Sequence, residues 1–374
     1  MKTLLLATGG AAQLAPLTDL TTDALLPVAD KPLLIHAVES LALAGLAEVI
    51  VVVAAFGDEV RKTLGDGAQW GMRFEYLAER DVQRRLVADL SHDYLVIRGE
   101  ILRTPIINEF LARAATLEAP VIAATIRGVA AGVTIIRRRT PMPWLASAPL
   151  ARMSQGSTVI DFPEAGLSLI DSPAALHQAN LDVIAGRFPG LMLGGCQLMP
   201  QVRAGRKSHL PLKAVKGVPV FVGARCRIAA SAELMSETVI SSDSVIDSRA
   251  TLHRAVVMPH TYVGALVQVS DAIVSGNLVI HIDSGTHAWV TDQFLLCSIS
   301  KRPLVTLVEG AVARFGRMLR AVYPLSWTRP SRLPDGERDG ASPAEVRLAW
   351  NQRVDPQQEA AVERERVVDR VARA

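Results

Sequence analysis

Residues 1–34 read MKTLLLATGGAAQLAPLTDLTTDALLPVADKPLL, and the fold follows from how this stretch is taken. Lys2–Ala7 is an apolar run that stops at Thr8-Gly9-Gly10. A basic residue followed by leucines and small residues imitates a secretory leader. The uninterrupted apolar core is only Leu4–Ala7, shorter than the roughly 7–15 residues a leader needs. It reads instead as a buried strand entering a glycine turn. Outward from it, Pro32–Gly45 has helical spacing through Leu34, Val38, Leu41 and Ala44. Glu48–Phe56 (EVIVVVAAF) is apolar almost throughout, as a strand covered on both faces should be. Arg73–Leu77 and Tyr94–Arg98 read as further strands, and Asp58–Leu64 and Ile106–Leu117 as helices. This alternation predicts a mostly parallel sheet with helices on both faces over residues 1–190. Ligands of such sheets sit at the carboxyl ends of the strands, where Gly9 and Gly99 fall.

The totals narrow the function classes. Forty basic against thirty-seven acidic residues give +3, too mild for nucleic acid to be the expected partner. Cys196, Cys226 and Cys297 lie far apart with no CxxC pairing, which argues against a disulfide framework or a structural zinc site. No run approaches the roughly 18 uncharged apolar residues of a membrane span. A cytoplasmic protein is expected.

From Val218 to Ile282 the texture changes. Val222, Ile228, Leu234, Ile240, Ile246, Leu252 and Met258 recur every six residues, and after a shift Val267, Ile273 and Val279 continue the period. Neither a 3.6-residue helix nor an alternating strand has this period. It matches hexapeptide repeats, in which each side of a triangular parallel β-helix turns one aliphatic residue inward. Further on, Val305, Val308, Val312, Phe315, Leu319 and Val322 form one helical stripe, with Arg314, Arg317 and Arg320 on another.

The order of a glycine loop, Pro16-Leu17-Thr18, Leu25-Leu26-Pro27-Val28-Ala29-Asp30-Lys31-Pro32 and an apolar strand resembles the sugar-1-phosphate nucleotidyltransferase family. Mannose-1-phosphate guanylyltransferases and glucose-1-phosphate uridylyl- and thymidylyltransferases belong to it. Gly65-Asp66-Gly67 with Trp70-Gly71, Asp171-Ser172-Pro173 and Ala179-Asn180-Leu181-Asp182 extend the likeness over roughly residues 1–300. The resemblance implies a Rossmann-like α/β domain (1–190), a connector (191–217) and a left-handed β-helix (218–300). An amphipathic helix (301–327) and a linker with a charged helical tail (328–374) follow.

In that family a sugar phosphate attacks the α-phosphorus of a nucleoside triphosphate, and catalysis rests on positioning and on cations. Matched on Pro16-Leu17-Thr18, the nucleotide-binding turn here comprises Ala7, Gly9, Gly10 and Ala11, with Gly99 at a second strand end. Ala11 replaces a glycine, and Gln13 stands where the family has arginine. Thr22-Asp23-Ala24 aligns with the lysine that reaches the phosphates, so an anion takes a cation's place. The resemblance assigns Mg²⁺, the cofactor expected if the chain is active, to Glu100 and to the position of Leu169, with Asp171 two residues on. Gln13 and Lys31 are the remaining candidates for catalysis, Lys31 reading more readily as structural. Arg84 and Arg85 read as an exposed helix face, the alternative being that they replace the missing cations. A sugar-binding hairpin and loop of ~20–30 residues is absent between Gly128 and Ala131.

The expectation is therefore a weakened or inactive relative that binds a nucleoside triphosphate or nucleotide sugar. It could equally serve as a regulatory or scaffolding subunit beside an active paralogous one, in a homo- or hetero-oligomer. One alternative is an active transferase of the GDP-mannose or NDP-glucose pyrophosphorylase type. Another is a hexapeptide-repeat acyltransferase using one of His253, His260, His281 or His287 as base, against which stands their reading as coil-edge residues. For 301–327, packing is expected over peripheral membrane contact.

Overall fold

The computed structural model describes residues 1–9, 12–19, 21–88, 91–140 and 156–299. Gly10, Ala11, the expected helix 301–327 and the expected tail 328–374 lie outside the described residues. Strand β1 (Lys2–Ala7) is flanked in parallel by β4 (Glu48–Val53) and β6 (Tyr94–Arg98), and β5 (Arg73–Ala78) extends the sheet beyond β4. On the other side, β9 (Val129–Ile136) runs antiparallel to both β6 and β8 (Val121–Ile126), and β10 (Thr158–Asp161) pairs in parallel with β8. The order is β10-β8-β9-β6-β1-β4-β5.

Helices α1 (Leu33–Leu43), α2 (Gly57–Leu64) and α4 (Ile107–Ala114) supply Leu34, Val38, Leu41, Val60, Leu64 and Phe110 to the main core. Val82 of α3 (Glu79–Ala88) joins a smaller core with Leu4, Leu6, Val52 and Val96. The two sets alternate along β1, which is why its sequence is apolar at nearly every position. The β8–β9 connection is two residues, Arg127 (φ 51°) and Gly128 (φ 75°). Two left-handed residues make the turn that suits a hairpin's twist, and the chain closes there directly.

The second half is a parallel β-helix with three ladders. Val202–Ala204 (β13), Val220–Val222, Thr238–Ile240, Ala255–Val257 and Ala272–Val274 stack on one side. Arg227–Ile228, Val245–Ile246 and Tyr262–Val263 form the second, and Glu233–Leu234, Thr251–Leu252 and Gln268–Val269 the third. Val222, Ile228, Leu234, Ile240, Ile246 and Leu252 fill its interior as the six-residue period predicts.

Beyond Leu252 the period breaks. The corner before the first ladder shortens from Met235-Ser236-Glu237 to His253-Arg254, so Ile240 pairs with Val257. Val257, Val263, Val269 and Val274 now turn inward. Met258 and Ile273 pack outside the coil interior, and Val279 lies on an antiparallel strand, Leu278–His281, that ends the parallel stacking. The ladder also begins earlier than expected, at Val202, within the stretch read as a connector.

Stacked corners carry side chains in left-handed backbone: Arg225 (φ 56°), Asp243 (φ 62°) and His260 (φ 59°) on successive coils. Each such residue costs ~1–2 kcal/mol. Coil-to-coil bonds hold them there: Arg225 N–H to Arg206 O (2.9 Å), Asp243 N–H to Ala224 O (2.9 Å) and His260 N–H to Ser242 O (3.0 Å).

Both halves lie in one compact unit, Met1–Pro303. Helix α5 (Pro173–Ile184), capped by the Ser172 hydroxyl accepting from Ala175 N–H (3.2 Å), joins them. Its Leu176, Ala179 and Val183 share a core with Phe221, Val239, Val256 and Ile273 of the first ladder and with Leu26, Val28 and Leu33. The seam is pinned by polar contacts. Asn180 Oδ1 accepts from Ala29 N–H (2.8 Å), and its Nδ2 donates to Leu176 O (2.9 Å). The Asp30 carboxylate accepts from Ser242 N–H and from the Ser242 hydroxyl, both at 2.6 Å.

Burial raises the Asp30 pKa, with the Ser242 bonds working against the rise. Its contribution is therefore fully present with the carboxyl protonated and is lost as pH rises through the raised pKa. Asp30→Ala should cost about 1–3 kcal/mol in urea unfolding. Asp30→Asn, which keeps an acceptor for Ser242, should gain on wild type between acid and neutral pH. A pH-independent difference would refute burial as the dominant influence.

Candidate functional site

The carboxyl ends of β1 and β6 lie side by side, as the parallel register Leu6 to Arg98 requires. Gly99 continues the pairing, its N–H donating to Leu6 O at 2.8 Å. A Cβ there would stand 2.4 Å from Leu34 Cδ1 and 2.9 Å from Leu6 O, so the position admits only glycine. Ala7 is buried at the end of β1, and Gln13 is exposed on the following short helical turn.

Gly9 does not leave an open cradle. A Cβ on Gly9 would lie 2.3 Å from Asp23 Oδ1 and 2.4 Å from Oδ2. The missing side chain makes room for a carboxylate of the same protein. Asp23 is 3% exposed, and its Oδ1 accepts from Ala24 N–H at 2.8 Å. The Thr22 hydroxyl lies 3.0 Å from both Asp23 Oδ1 and Gly9 O, tying the carboxylate to the loop.

Glu100 follows Gly99 with 11% of its side chain exposed. Oε1 accepts from Arg98 Nε, while Oε2 is buried with no partner among the described residues. Burial raises the Glu100 pKa; Arg98 opposes the rise and the nearby Asp23 adds to it. Arg103 lies beneath, 4% exposed, with Nη1 donating to Arg98 O at 3.0 Å. Its Nε and Nη2 are buried without partners among the described residues, and burial pulls its pKa down to about 10 against the pull of Glu100.

The strand end thus holds an internal arrangement of two carboxylates and two arginines. Sequence reasoning missed the arginines; the available signal was their spacing, Arg98 and Arg103 bracketing Gly99-Glu100.

Glu100 and the position of Leu169 do not together fit magnesium. β7 (Ile101–Arg103) pairs antiparallel with β11 (Leu167–Leu169), setting Leu169 opposite Ile101, beside Glu100. At that point the chain offers a hydrocarbon side chain where a second oxygen ligand is needed. Asp171, two residues on, is exposed. No group of three or more His, Cys, Asp or Glu among the described residues is placed to hold a metal.

The other candidates fall elsewhere. Lys31 Nζ donates to both oxygens of Glu39 (2.6 and 2.8 Å) and to Met192 O (2.5 Å), a structural tie between α1 and the segment after α5. Arg84 is exposed on α3, and Arg85 pairs with Glu75 at 2.5 Å. Arg85 lines a cavity of about 340 Å³ with Lys2, Glu48 and Arg73, at the amino ends of the strands. Six residues of β1, about 20 Å, separate that end from Gly9, so Arg85 is not placed to meet a ligand at Gly9. His281 and His287 are exposed, and His253 and His260 half-buried on the coils. No helix among the described residues is long and apolar enough to cross a membrane.

Residues 2–128 match the nucleotidyl transferase family model, and this segment belongs to that family. The match ends in the two-residue turn where the β8–β9 hairpin closes. Among curated relatives, a glucose-1-phosphate thymidylyltransferase of Streptomyces griseus is 37% identical over 79 residues, 21% of this chain and 22% of its own. The low-salt glycan biosynthesis nucleotidyltransferase Agl11 of Haloferax volcanii is 39% identical over 80 residues, 21% of this chain and 22% of its own. An N-acetylmuramate alpha-1-phosphate uridylyltransferase of Neisseria meningitidis is 32% identical over 110 residues, 27% of this chain and 48% of its own. The chain thus spans from about a fifth to a half of the relatives it matches.

Asp23→Asn keeps the shape of the Gly9 floor and removes its charge. If Asp23 repels phosphate, thermal-shift titration with nucleoside triphosphates should show a larger stabilisation of Asp23→Asn than of wild type. Equal shifts would sink the electrostatic account.

Proposed function

We propose that this chain is a sugar-1-phosphate nucleotidyltransferase relative that no longer transfers nucleotidyl groups. It acts in nucleotide-sugar or polysaccharide production by binding a nucleotide or nucleotide sugar, or as a regulatory or scaffolding subunit beside an active paralogue. The observation that carries this reading is the Asp23 carboxylate seated against Gly9. Transfer to a sugar phosphate brings several negative charges to one strand end, and the family's chemistry depends on cations there. A unit charge 4 Å from a phosphate costs about 4 kcal/mol at an effective dielectric of 20. Asp23 places such a charge at the loop, and the arginines at this strand end are engaged elsewhere, Arg98 by Glu100 and Arg103 by backbone carbonyls.

The displaced metal position supports the same reading. With Leu169 opposite Ile101 in place of an oxygen ligand, Glu100 lacks the second ligand through which a metal would offset the charge on a departing pyrophosphate. Ala11, Gln13 and the closed β8–β9 turn remove further contacts that the family uses for triphosphate and sugar. Each alone would weaken transfer, and together they leave a fold better suited to holding position than to chemistry.

Pyrophosphate release measured with each of the four nucleoside triphosphates, glucose- or mannose-1-phosphate and magnesium should stay at background. Robust turnover with any pair would overturn the proposal. Nucleotide sugars tested by thermal shift separate its two branches: binding at 100 times Kd stabilises by about 2.7 kcal/mol, whereas a flat panel favours scaffolding.

A further inference from the structure

The first coil of the β-helix carries charge that the nucleotidyltransferase fold does not use. From Val183 to Ala232 the chain has eight Lys and Arg and no Asp or Glu. From Ile228 to Ile299 the balance reverses, with seven carboxylates against Arg249 and Arg254. The β-helix is therefore basic at its beginning and acidic along its later coils.

The cations go round the coil. Lys207 and Arg225 occupy left-handed corner positions on successive coils. Arg227, on the second ladder, bridges His209, and Lys213 and Lys216 flank Val215, which bridges Leu234 of the third. Arg225 is paired with Asp243. Arg206, Lys207, Lys213, Lys216 and Arg227 are exposed, and none has an ion pair among the described residues. Leu212 (53% exposed) and Val218 (41%) stand among them.

Cations on different sides of a coil cannot line one groove. Arg206, Lys207, Lys213 and Lys216 share a plane only at the end of the first coil, with Arg227 one coil behind, so the partner that meets them is broad, flat and anionic. We propose that this end of the β-helix docks on an anionic phospholipid surface, with the cations at the headgroup phosphates and Leu212 and Val218 entering the interface. The acidic later coils orient the molecule, since a side-on approach would bring carboxylates to the membrane. A single-stranded nucleic acid would call for exposed aromatic side chains on which bases stack. Residues 202–219 contain no Phe, Tyr or Trp.

The test is co-sedimentation of the full chain with phosphatidylcholine vesicles, with and without phosphatidylglycerol. Binding is expected only with the anionic lipid and should weaken with salt. Lys213→Glu with Lys216→Glu should weaken it by at least about tenfold, each cation near such a surface being worth about fivefold. Leu212→Ser with Val218→Ser should weaken it while leaving the salt dependence unchanged. Melting temperatures close to wild type confirm that both variants fold. Equal binding to neutral vesicles would overturn the proposal. So would full binding by the Lys213/Lys216 variant, or binding to duplex DNA or polyglutamate without binding to vesicles.

Discussion

The turn at Ala29–Asp30 determines how the two halves of the molecule meet. Its residues sit at φ 47° and 68°, between the short paired strands Pro27–Val28 and Lys31–Pro32. That conformation carries Asp30 out of the α/β domain to Ser242 on the β-helix, where a Cβ on Gly223 would stand 2.6 Å from Asp30 Oδ2. A glycine on one coil and a serine on the next together form the socket. The same turn gives Ala29 N–H to Asn180, and the adjacent Val28 carbonyl lies 3.1 Å from His36 Nε2. Burial holds the His36 pKa down to about 4, so the ring is neutral at neutral pH and packs as part of α1. Because the turn leads directly into α1, the helix is oriented by the same contacts that seat the β-helix.

This arrangement separates two uses of one sequence motif. Thr22–Ala24 lies on the Gly9 side, where phosphate chemistry would be sited; Pro27–Pro32 lies on the β-helix side. Asp23 lies against Gly9 while Asp30 and Lys31 hold the seam, so the loop and the seam are held by different residues of one stretch. Buried Arg103, with two unpartnered nitrogens, fits the same picture. Its Nη1 donates to the carbonyls of Arg98, Ile101 and Ala131, and Glu100 acts on it electrostatically, so it is engaged within the fold.

The alternation of β1, α1, β4, α2, β5 and β6 was legible because each element buries a distinct apolar pattern. The coil period was legible up to Leu252 for the same reason. It failed at the shortened corner because Met258, apolar at the expected position, masks a one-residue shift that sends Val257 inward. The first ladder's role was encoded but overlooked. Val220-Phe221-Val222, Val239-Ile240, Ala255-Val256-Val257 and Ala272-Ile273-Val274 are apolar on both faces, as only a covered side can be. At the site, the anion in the lysine's place could be read from residue identity. The two arginines flank Gly99-Glu100 in the sequence, but that Arg98 bonds Glu100 while Arg103 turns to the carbonyls of Arg98, Ile101 and Ala131 is set by the fold, which spacing does not specify.

The charge reversal along the β-helix follows from this division of labour. The first ladder is committed on its outer face to α5, so the remaining sides and the end are the surfaces on which substitution can act without disturbing the seam. On the later coils, carboxylates are drawn into corner pairs: Arg254 with Glu237 and Asp271 (2.6 Å to the latter), and Arg225 with Asp243. Such half-exposed pairs add little stability individually. They offset one another only in part, with two carboxylates to Arg254, whereas Arg206 and the lysines of the first coil have no ion pair among the described residues and form a concentrated field at one end. A coil whose interior needs only small and aliphatic residues can carry that field at almost no cost to its fold, because every charged side chain points outward from a backbone fixed by coil-to-coil hydrogen bonds.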